Sequence, residues 1–360
     1  MTQVGGTGSN LSPKQLPDGA ETTLRILYLA PHAPEAPNTP PPPEMDSRFG
    51  LQPHYHYSIY RVLLDLGLTV TPGRDAADLM RDPGAFNYVF TLHNRGRHRN
   101  SEVLISALCE HAGLPYLGAP PNMRALAEDK WLTKRTAAAM GLSVIEGCAY
   151  RDHSELDREP GFPGPFMVKP RFGAASEHIG ADAACIRWES ARDRAAHLFD
   201  LGEEVLVERL IDGHDITVPV LGGLTPCILP AVEIHSALPH GVVSHGQKRA
   251  LEEGRSRKLI PVGELPVGLR RAVDSLIEEV MPFDYLRIDF RIDARSGMHH
   301  LLELNQCSSL SPSNALGASA ASVGLGTQDL VQHILALSLE RQWDRYQRLT
   351  KNQAPDARRS

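Results

Sequence analysis

The segment Arg287-Ile288-Asp289-Phe290-Arg291-Ile292-Asp293, followed after Arg295-Ser296-Gly297 by Leu301-Leu302-Glu303-Leu304-Asn305, constrains this chain more than any other. Charged and apolar residues alternate on both sides of a glycine-bearing turn, which predicts two antiparallel strands. Period two sets Arg287, Asp289 and Arg291 on one face of the first strand and Glu303 with Asn305 on one face of the second. Ile288, Phe290, Leu302 and Leu304 then turn toward a core. Three oxygen ligands, Asp289, Glu303 and Asn305, converge, and Arg287 adds fixed positive charge beside them. Such a set suits Mg²⁺ (or Mn²⁺), since hard divalent ions take oxygen ligands and leave positions for substrate phosphates. A hairpin that only shows polar side chains to water would carry the same pattern.

Two upstream elements add the matching chemistry. Phe166-Met167-Val168-Lys169-Pro170 reads as a strand ending in a lysine, followed by the small-residue loop 171–176. Lys169 can reach phosphate oxygens while backbone N–H groups of that loop, Ser176 included, approach closely. Lys130, in Glu128-Asp129-Lys130-Trp131, is a second candidate cation. The strand Val205-Leu206-Val207-Glu208-Arg209-Leu210 runs into the acidic glycine turn Asp212-Gly213-His214-Asp215. Backbone groups at such a strand end can pair with an adenine edge, and Asp215 can accept from ribose hydroxyls.

Composition narrows the partners. The chain has 360 residues, and a formal net charge of -6 gives no reason to expect nucleic acid or an anionic membrane, so small-molecule chemistry is the better prior. No apolar run is long enough for a membrane span and the start has no signal-like order, which leads to an expectation of cytoplasmic residence. Five scattered cysteines with no Cys-x-x-Cys pair indicate neither a cysteine zinc site nor a disulfide framework. His54 and His56, taken as sharing a strand face, lack a third ligand.

The organisation expected from pattern alone is a disordered tail over 1–22 and a parallel α/β domain over 23–122. A central unit over 123–206, a C-terminal unit over 207–340 and a polar tail over 341–360 follow. Within these, strands are expected at 24–30, 87–92, 114–117, 143–150, 165–169 and 204–210, and helices at 57–66, 101–112, 123–140, 189–199 and 267–280. Residues 31–44 are so rich in proline that a helix is forbidden; the segment can serve as a substrate loop, a partner ligand or a spacer.

In order, Leu126-Ala127-Glu128-Asp129-Lys130-Trp131-Leu132-Thr133-Lys134, Phe166-Met167-Val168-Lys169-Pro170, Val207-Glu208 with Gly213-His214-Asp215, and Arg287-x-Asp289 with Glu303-x-Asn305 resemble the ATP-grasp superfamily, and within it D-alanine–D-alanine ligase. The resemblance implies an α/β (α+β) fold of three domains, an N-terminal parallel α/β domain plus two domains gripping ATP between their sheets. It implies that Lys130 and Lys169 contact phosphates, Glu208 and Leu210 form the adenine hinge, Asp215 holds ribose, and Asp289, Glu303 and Asn305 hold Mg²⁺. Arg287 is then the catalytic arginine that steadies the transferred phosphoryl group and the later oxyanion. The implied reaction is ATP-dependent ligation of a carboxylate to an amine through an acyl phosphate, and the implied assembly is a homodimer through the N-terminal domain. The loop 239–257, with Lys248, takes the place of the family's mobile lid.

The resemblance thins at the substrate ends. The family's glycine-rich opening loop with its glutamate is replaced by the proline-rich segment, and the family's Pro-Gly after E-x-N by Gln306-Cys307-Ser308-Ser309-Leu310-Ser311-Pro312-Ser313-Asn314. Ser309, Ser311 and Asn314 become candidate substrate contacts, as does Arg97 in the arginine-rich loop 93–100, which is equally readable as a solvated basic loop. These changes favour an amino acid or small acid of specialised metabolism over D-alanine. Genuine D-alanine–D-alanine ligation is the alternative, and a nucleotide-binding regulatory protein without turnover is another.

Overall fold

The computed structural model describes residues 3–4, 11–93, 101–173, 178–236, 240, 257–306 and 308–352. The chain opens with β1 (Gln3–Val4) and the short helix α1 (Ala20–Thr23). Then follow β2 (Arg25–Leu29), α2 (Gln52–Asp65), β3 (Thr69–Gly73), α3 (Ala76–Arg81), β4 (Tyr88–Thr91) and α4 (Ser101–Ala112). The strands pair in parallel in the order β3-β2-β4, as short apolar runs joined by helices should. One face of this sheet, with Ile26, Tyr28 and Phe90, packs on α2; the other, with Leu27, Leu29 and Val89, packs on Leu79 of α3 and Ile105 and Cys109 of α4. β3 is illegible in the sequence because it contains Pro72 and Gly73; its place at the sheet edge is where a missing N–H costs nothing. Residues 114–117, expected as a strand, make only an isolated bridge from Tyr116 to Val89.

The single helix expected over 123–140 is two, α5 (Pro121–Glu128) and α6 (Lys130–Ala139). Asp129 leaves helical geometry at ψ 95° and turns its carboxylate onto the N–H groups of Trp131 and Leu132, at 3.0 and 3.1 Å. That is an N-cap, and it frees the chain to turn at Lys130.

Next come β5 (Gly147–Tyr150), β6 (Phe166–Pro170), β7 (Ala184–Cys185), α7 (Trp188–Asp200) and β8 (Val205–Arg209). They form an antiparallel sheet ordered β5-β8-β6-β7. Phe166, Val168, Val205 and Val207 pack on Ala191, Ala195 and Leu198 of α7. Alternation therefore leaves Met167, Lys169 and Glu208 on the face away from that helix.

The last sheet contains β9 (Gly213–Leu221), β10 (Cys227–Ile228), β11 (Val232–His235), β12 (Lys258–Pro261), β13 (Tyr285–Asp293) and β14 (His299–Asn305). Its core strands run β14-β13-β9-β11-β12, all antiparallel, and β1 adds in parallel at β10. The helix α8 (Val267–Val280) buries Leu269, Val273, Leu276, Ile277 and Val280 against Ile216, Val218, Ile288 and Phe290. Residues of the opposite parity, Thr217, Arg287, Asp289 and Arg291, face away from it. The chain closes with α9 (Ala315–Ser322), α10 (Thr327–Arg341) and α11 (Trp343–Asn352).

Both expected tails need correction. Leu11 donates its N–H to Val323 O at 2.9 Å, Lys14 N–H reaches His333 Nδ1 at 3.0 Å, and Leu11 and Leu16 pack on the core. At the other end Tyr346 is buried and its hydroxyl lies 2.7 Å from Thr23 Oγ1. The N-terminal segment has no periodic pattern because single apolar side chains, Leu11 and Leu16, anchor it, whereas the C-terminal one is an amphipathic helix. α10 also leaves the unit expected over 207–340 to cover the N-terminal sheet, where Tyr88 OH donates to Ser338 Oγ at 2.6 Å. Asp284, fully buried, fastens this junction by accepting from Gly118 N at 2.6 Å and from Arg341 Nε at 2.7 Å. Among the described residues no helix is long and apolar enough to cross a membrane.

Candidate active site

The two antiparallel sheets turn their helix-free faces toward one another across a cleft of about 1040 Å³, partly open to solvent. Six cationic side chains line it, Lys130, Lys169, Arg209, Arg257, Arg287 and Arg291, against four carboxylates, Glu208, Asp215, Asp289 and Glu303. The excess of positive charge suits a polyphosphate. Ile145, Met167, Ile179, Leu210, Ile211 and Leu302 supply an apolar lining that suits a planar base.

On the first wall, Glu208 is 1% exposed and sits between Lys134 Nζ at 2.8 Å and Lys169 Nζ at 2.7 Å. Burial pushes the Glu208 carboxyl up, but Lys134 and Lys169 outweigh it and hold the group below the ordinary carboxylate range. Lys134, also completely enclosed, is held below the ordinary lysine range by burial, which Glu208 offsets only in part and neighbouring Lys169 reinforces. The sequence reading missed Lys134; its position four residues after Lys130, on the same helical face, was the available signal. Lys130 Nζ donates to Gly173 O at 2.5 Å and Phe172 O at 3.2 Å, so it holds the entrance of the small-residue loop. Arg171 grips Asp129 through two bonds of 2.9 and 2.6 Å and Glu204 through one of 2.9 Å, fixing the same, C-terminal end of β6.

Glu208 and Leu210, expected as the adenine hinge, both line the cleft. β8 is flanked on both sides, and the Leu210 N–H is already given to Pro165 O at 2.7 Å, so it is not available to a base. Ile211, one residue further along the cleft lining, was overlooked because pattern alone does not show where a neighbouring strand ends.

On the second wall, Arg287 pairs with Asn305, and Asp289 with Glu303, across the β13–β14 ladder. Asp289 accepts from Arg287 Nη2 at 2.9 Å, Thr217 Oγ1 at 2.8 Å and Asn305 Nδ2 at 2.9 Å, and Asn305 Nδ2 also reaches Glu303 Oε1 at 3.3 Å. Asp215 accepts from Arg291 Nη1 at 2.8 Å. The register slips between Asp289 and Phe290, so Leu301 enters the core and Leu302, expected there, lines the cleft. A β-bulge brings two consecutive side chains to one side, and no period-two pattern reveals it. Asp289, Glu303 and Asn305 offer hard oxygen donors from a rigid hairpin, and this donor set fits Mg²⁺.

Arg257 lines the cleft and donates to Asn314 Oδ1 at 2.5 Å. Burial and then neighbouring Arg287 push its pKa down to about 10, leaving it charged at neutral pH. Asn314 in turn donates to Ser309 Oγ at 3.1 Å, while Ser311 Oγ lies 2.8 Å from Ser313 Oγ. Ser309, Ser311 and Asn314 thus form one hydrogen-bonded loop, reached from the cleft through Arg257. Leu310 N–H in the same loop donates to Tyr55 OH of α2 at 3.0 Å, tying it to the N-terminal domain. His54 and His56 lie in α2 rather than on a strand, and His56 Nδ1 accepts from His32 N–H at 3.3 Å. Arg97, Ser176 and Lys248, and most of the expected lid, lie outside the described residues.

The family model described as "D-ala D-ala ligase C-terminus" matches residues 151–336. A D-alanine–D-alanine ligase of Actinobacillus succinogenes is 30% identical over 272 residues, covering 73% of this chain and 83% of the relative. One from Carboxydothermus hydrogenoformans is 25% identical over 301 residues, covering 79% and 92%. Among solved structures, a Bacillus anthracis D-alanine–D-alanine ligase complexed with ATP superposes with a TM-score of 0.63 at 16% identity, over 92% of this chain and 99% of that one. The VanG D-Ala:D-Ser ligase of Enterococcus faecalis gives 0.64 at 14%, over 88% and 100%.

Proposed function

Because this chain belongs to the D-alanine–D-alanine ligase family and is an ATP-dependent, ADP-forming amino acid ligase, we propose that it condenses two D-amino acids, D-alanine with D-alanine first among them. The observation that carries this reading is the meeting of Lys130 and Lys169 with Arg287, Asp289 and Glu303 in one cleft. The names of the curated relatives favour D-alanine over the specialised-metabolism substrate expected from the sequence.

The residues account for the steps. Lys169, supported from behind by Glu208, and Lys130 at the loop entrance are placed to neutralise phosphate oxygens. Asp215, oriented by Arg291, is placed to accept from ribose hydroxyls. Asp289, Glu303 and Asn305 would hold Mg²⁺, which supplies charge neutralisation between the phosphates. A substrate carboxylate attacks the γ-phosphorus, ADP leaves, and the amine of the second substrate attacks the acyl phosphate carbonyl and expels phosphate. Arg287 faces the developing negative charge in both steps, and positioning plus electrostatics supplies most of the acceleration.

A second reading has one observation behind it. The loop holding Ser309, Ser311 and Asn314 and the proline-rich segment differ from the family's substrate loops, which favours a different amine or carboxylate at the same catalytic centre. ADP release with MgATP against L- and D-amino acids and small acids, singly and in pairs, decides between them. D-alanine alone should give ADP and dipeptide, and Glu303→Gln should lower turnover by at least ~100-fold. Silence with D-alanine and release with another pair would replace the first reading with the second.

A further inference from the structure

β9 and β11 pair with Ile216 opposite Glu233 and Asp215 opposite Ile234. Asp215 and Ile234 line the cleft, so alternation turns His214, Glu233 and His235 to the opposite face of the sheet. There His235 Nε2 lies 2.9 Å from Glu233 Oε2, and His214 Nε2 lies 3.6 Å from Glu233 Oε1. The three ligand atoms all fall within 4.8 Å of one another. The two imidazoles stack nearly parallel, 16° apart with centroids 4.9 Å apart.

A simple histidine–carboxylate pair explains His235 but not His214. The His214 Nε2 atom is buried and has no hydrogen-bond partner among the described residues, and 3.6 Å is too long for one to Glu233. A buried ring nitrogen left unsatisfied costs free energy, and three converging donors offer a way to recover it. Nitrogen and oxygen ligands 2.0–2.2 Å from a tetrahedral zinc ion lie roughly 3.3–3.6 Å apart, and the separations of 2.9 Å from His235 to Oε2 and 3.6 Å from His214 to Oε1 of Glu233 lie near that spacing. The ligands stand on paired strands, so little rearrangement is needed. The side chain of His235 is 41% exposed, which opens the cluster to solvent on that side.

We propose that His214, Glu233 and His235 form a binding site for a divalent transition-metal ion such as Zn²⁺, separate from the cleft and on the reverse side of its wall. Two imidazoles and one carboxylate favour a borderline ion over Mg²⁺, whereas the all-oxygen set of Asp289, Glu303 and Asn305 favours the reverse.

The test uses the full chain, stripped with chelator and held in excess Mg²⁺, titrated with Zn²⁺ against a chromophoric chelator. One equivalent should bind with a micromolar or lower Kd. His214→Ala and His235→Ala should each weaken it tenfold or more, and Glu303→Gln should leave it unchanged. Co²⁺ in place of Zn²⁺ should give a tetrahedral visible spectrum that His235→Ala abolishes; His235 is the most exposed ligand, so that variant is the one least exposed to a folding defect. No tight equivalent, or one that survives both histidine variants or disappears in Glu303→Gln, would overturn the proposal.

Discussion

On the wall built from β5, β8 and β6, Glu208 is held at 2.8 and 2.7 Å by two lysines and is 1% exposed; on the facing wall Asp289, 6% exposed, accepts from an arginine, a threonine and an amide while lining the cleft. The first arrangement saturates a carboxylate with charge and seals it. The second leaves a carboxylate ordered by donors that can reorient when a cation arrives. Two acidic residues on facing strands are therefore held differently, the first by two lysines, Lys134 and Lys169, and the second by Arg287, Thr217 and Asn305. The contrast is between a carboxylate neutralised in place by two lysines and one ordered by a mixed set of donors, both lining the same cleft.

Glu208→Gln tests the first wall. It leaves Lys134 buried without its carboxylate, and removing one partner of such a group costs ~3–5 kcal/mol. Chemical denaturation should show that loss; a variant as stable as the parent would mean that the buried cluster is not structural.

Arg287→Met tests the other wall. It should lower kcat/KM by about 10²–10³-fold, on the scale of removing one oxyanion donor, with the denaturation midpoint nearly unchanged. A large stability loss with intact turnover would invert the roles assigned to the two walls.

A smaller effect is expected from acid. The Glu208 pKa is lowered in the fold, so its contribution is complete above the unfolded value of 4.5 and is lost as pH falls through the folded one. The stability gap between the parent and Glu208→Gln should stay constant from neutrality to about pH 5 and narrow below that. Melts at a series of pH values measure the gap, and a gap that widens in acid would contradict the sign of the shift.

The smallest effect concerns the link between the N-terminal domain and the serine-rich loop. Tyr55→Phe removes the acceptor for Leu310 N–H and should cost ~1 kcal/mol or less in stability while raising a substrate KM several-fold. An unchanged KM for both substrates would place that loop outside substrate binding.

Elements whose residues repeat with a period are legible in the sequence. The alternation in 287–293 and 301–305 predicts the hairpin, and with it the neighbourhood of Arg287, Asp289, Glu303 and Asn305. The helix expected over 267–280 is found as Val267–Val280, because its apolar residues recur every three or four positions. Where local pattern conflicts with a tertiary partner, the reading fails. Thr69–Gly73 is a strand despite its proline because the neighbouring β2 supplies the pairing. Asp129 splits one apparent helix into two because capping α6 and binding Arg171 outweigh continuing the turn.

Which strand faces are charged and which are apolar is already written in the order of residues, since a side chain's direction along a strand follows from its parity. The same order sets the chemistry available on those faces: lysines, arginines, carboxylates and an amide in fixed succession. Which of these groups meet depends on the packing of the folded chain. Lys134 reaches Glu208 across 74 positions of sequence, Asp215 meets Arg291 across 76, and a one-residue bulge exchanges Leu301 and Leu302 between core and cleft. Such choices depend on how sheets pack and where a ladder slips, and those are energies of the assembled chain that no local window of sequence contains.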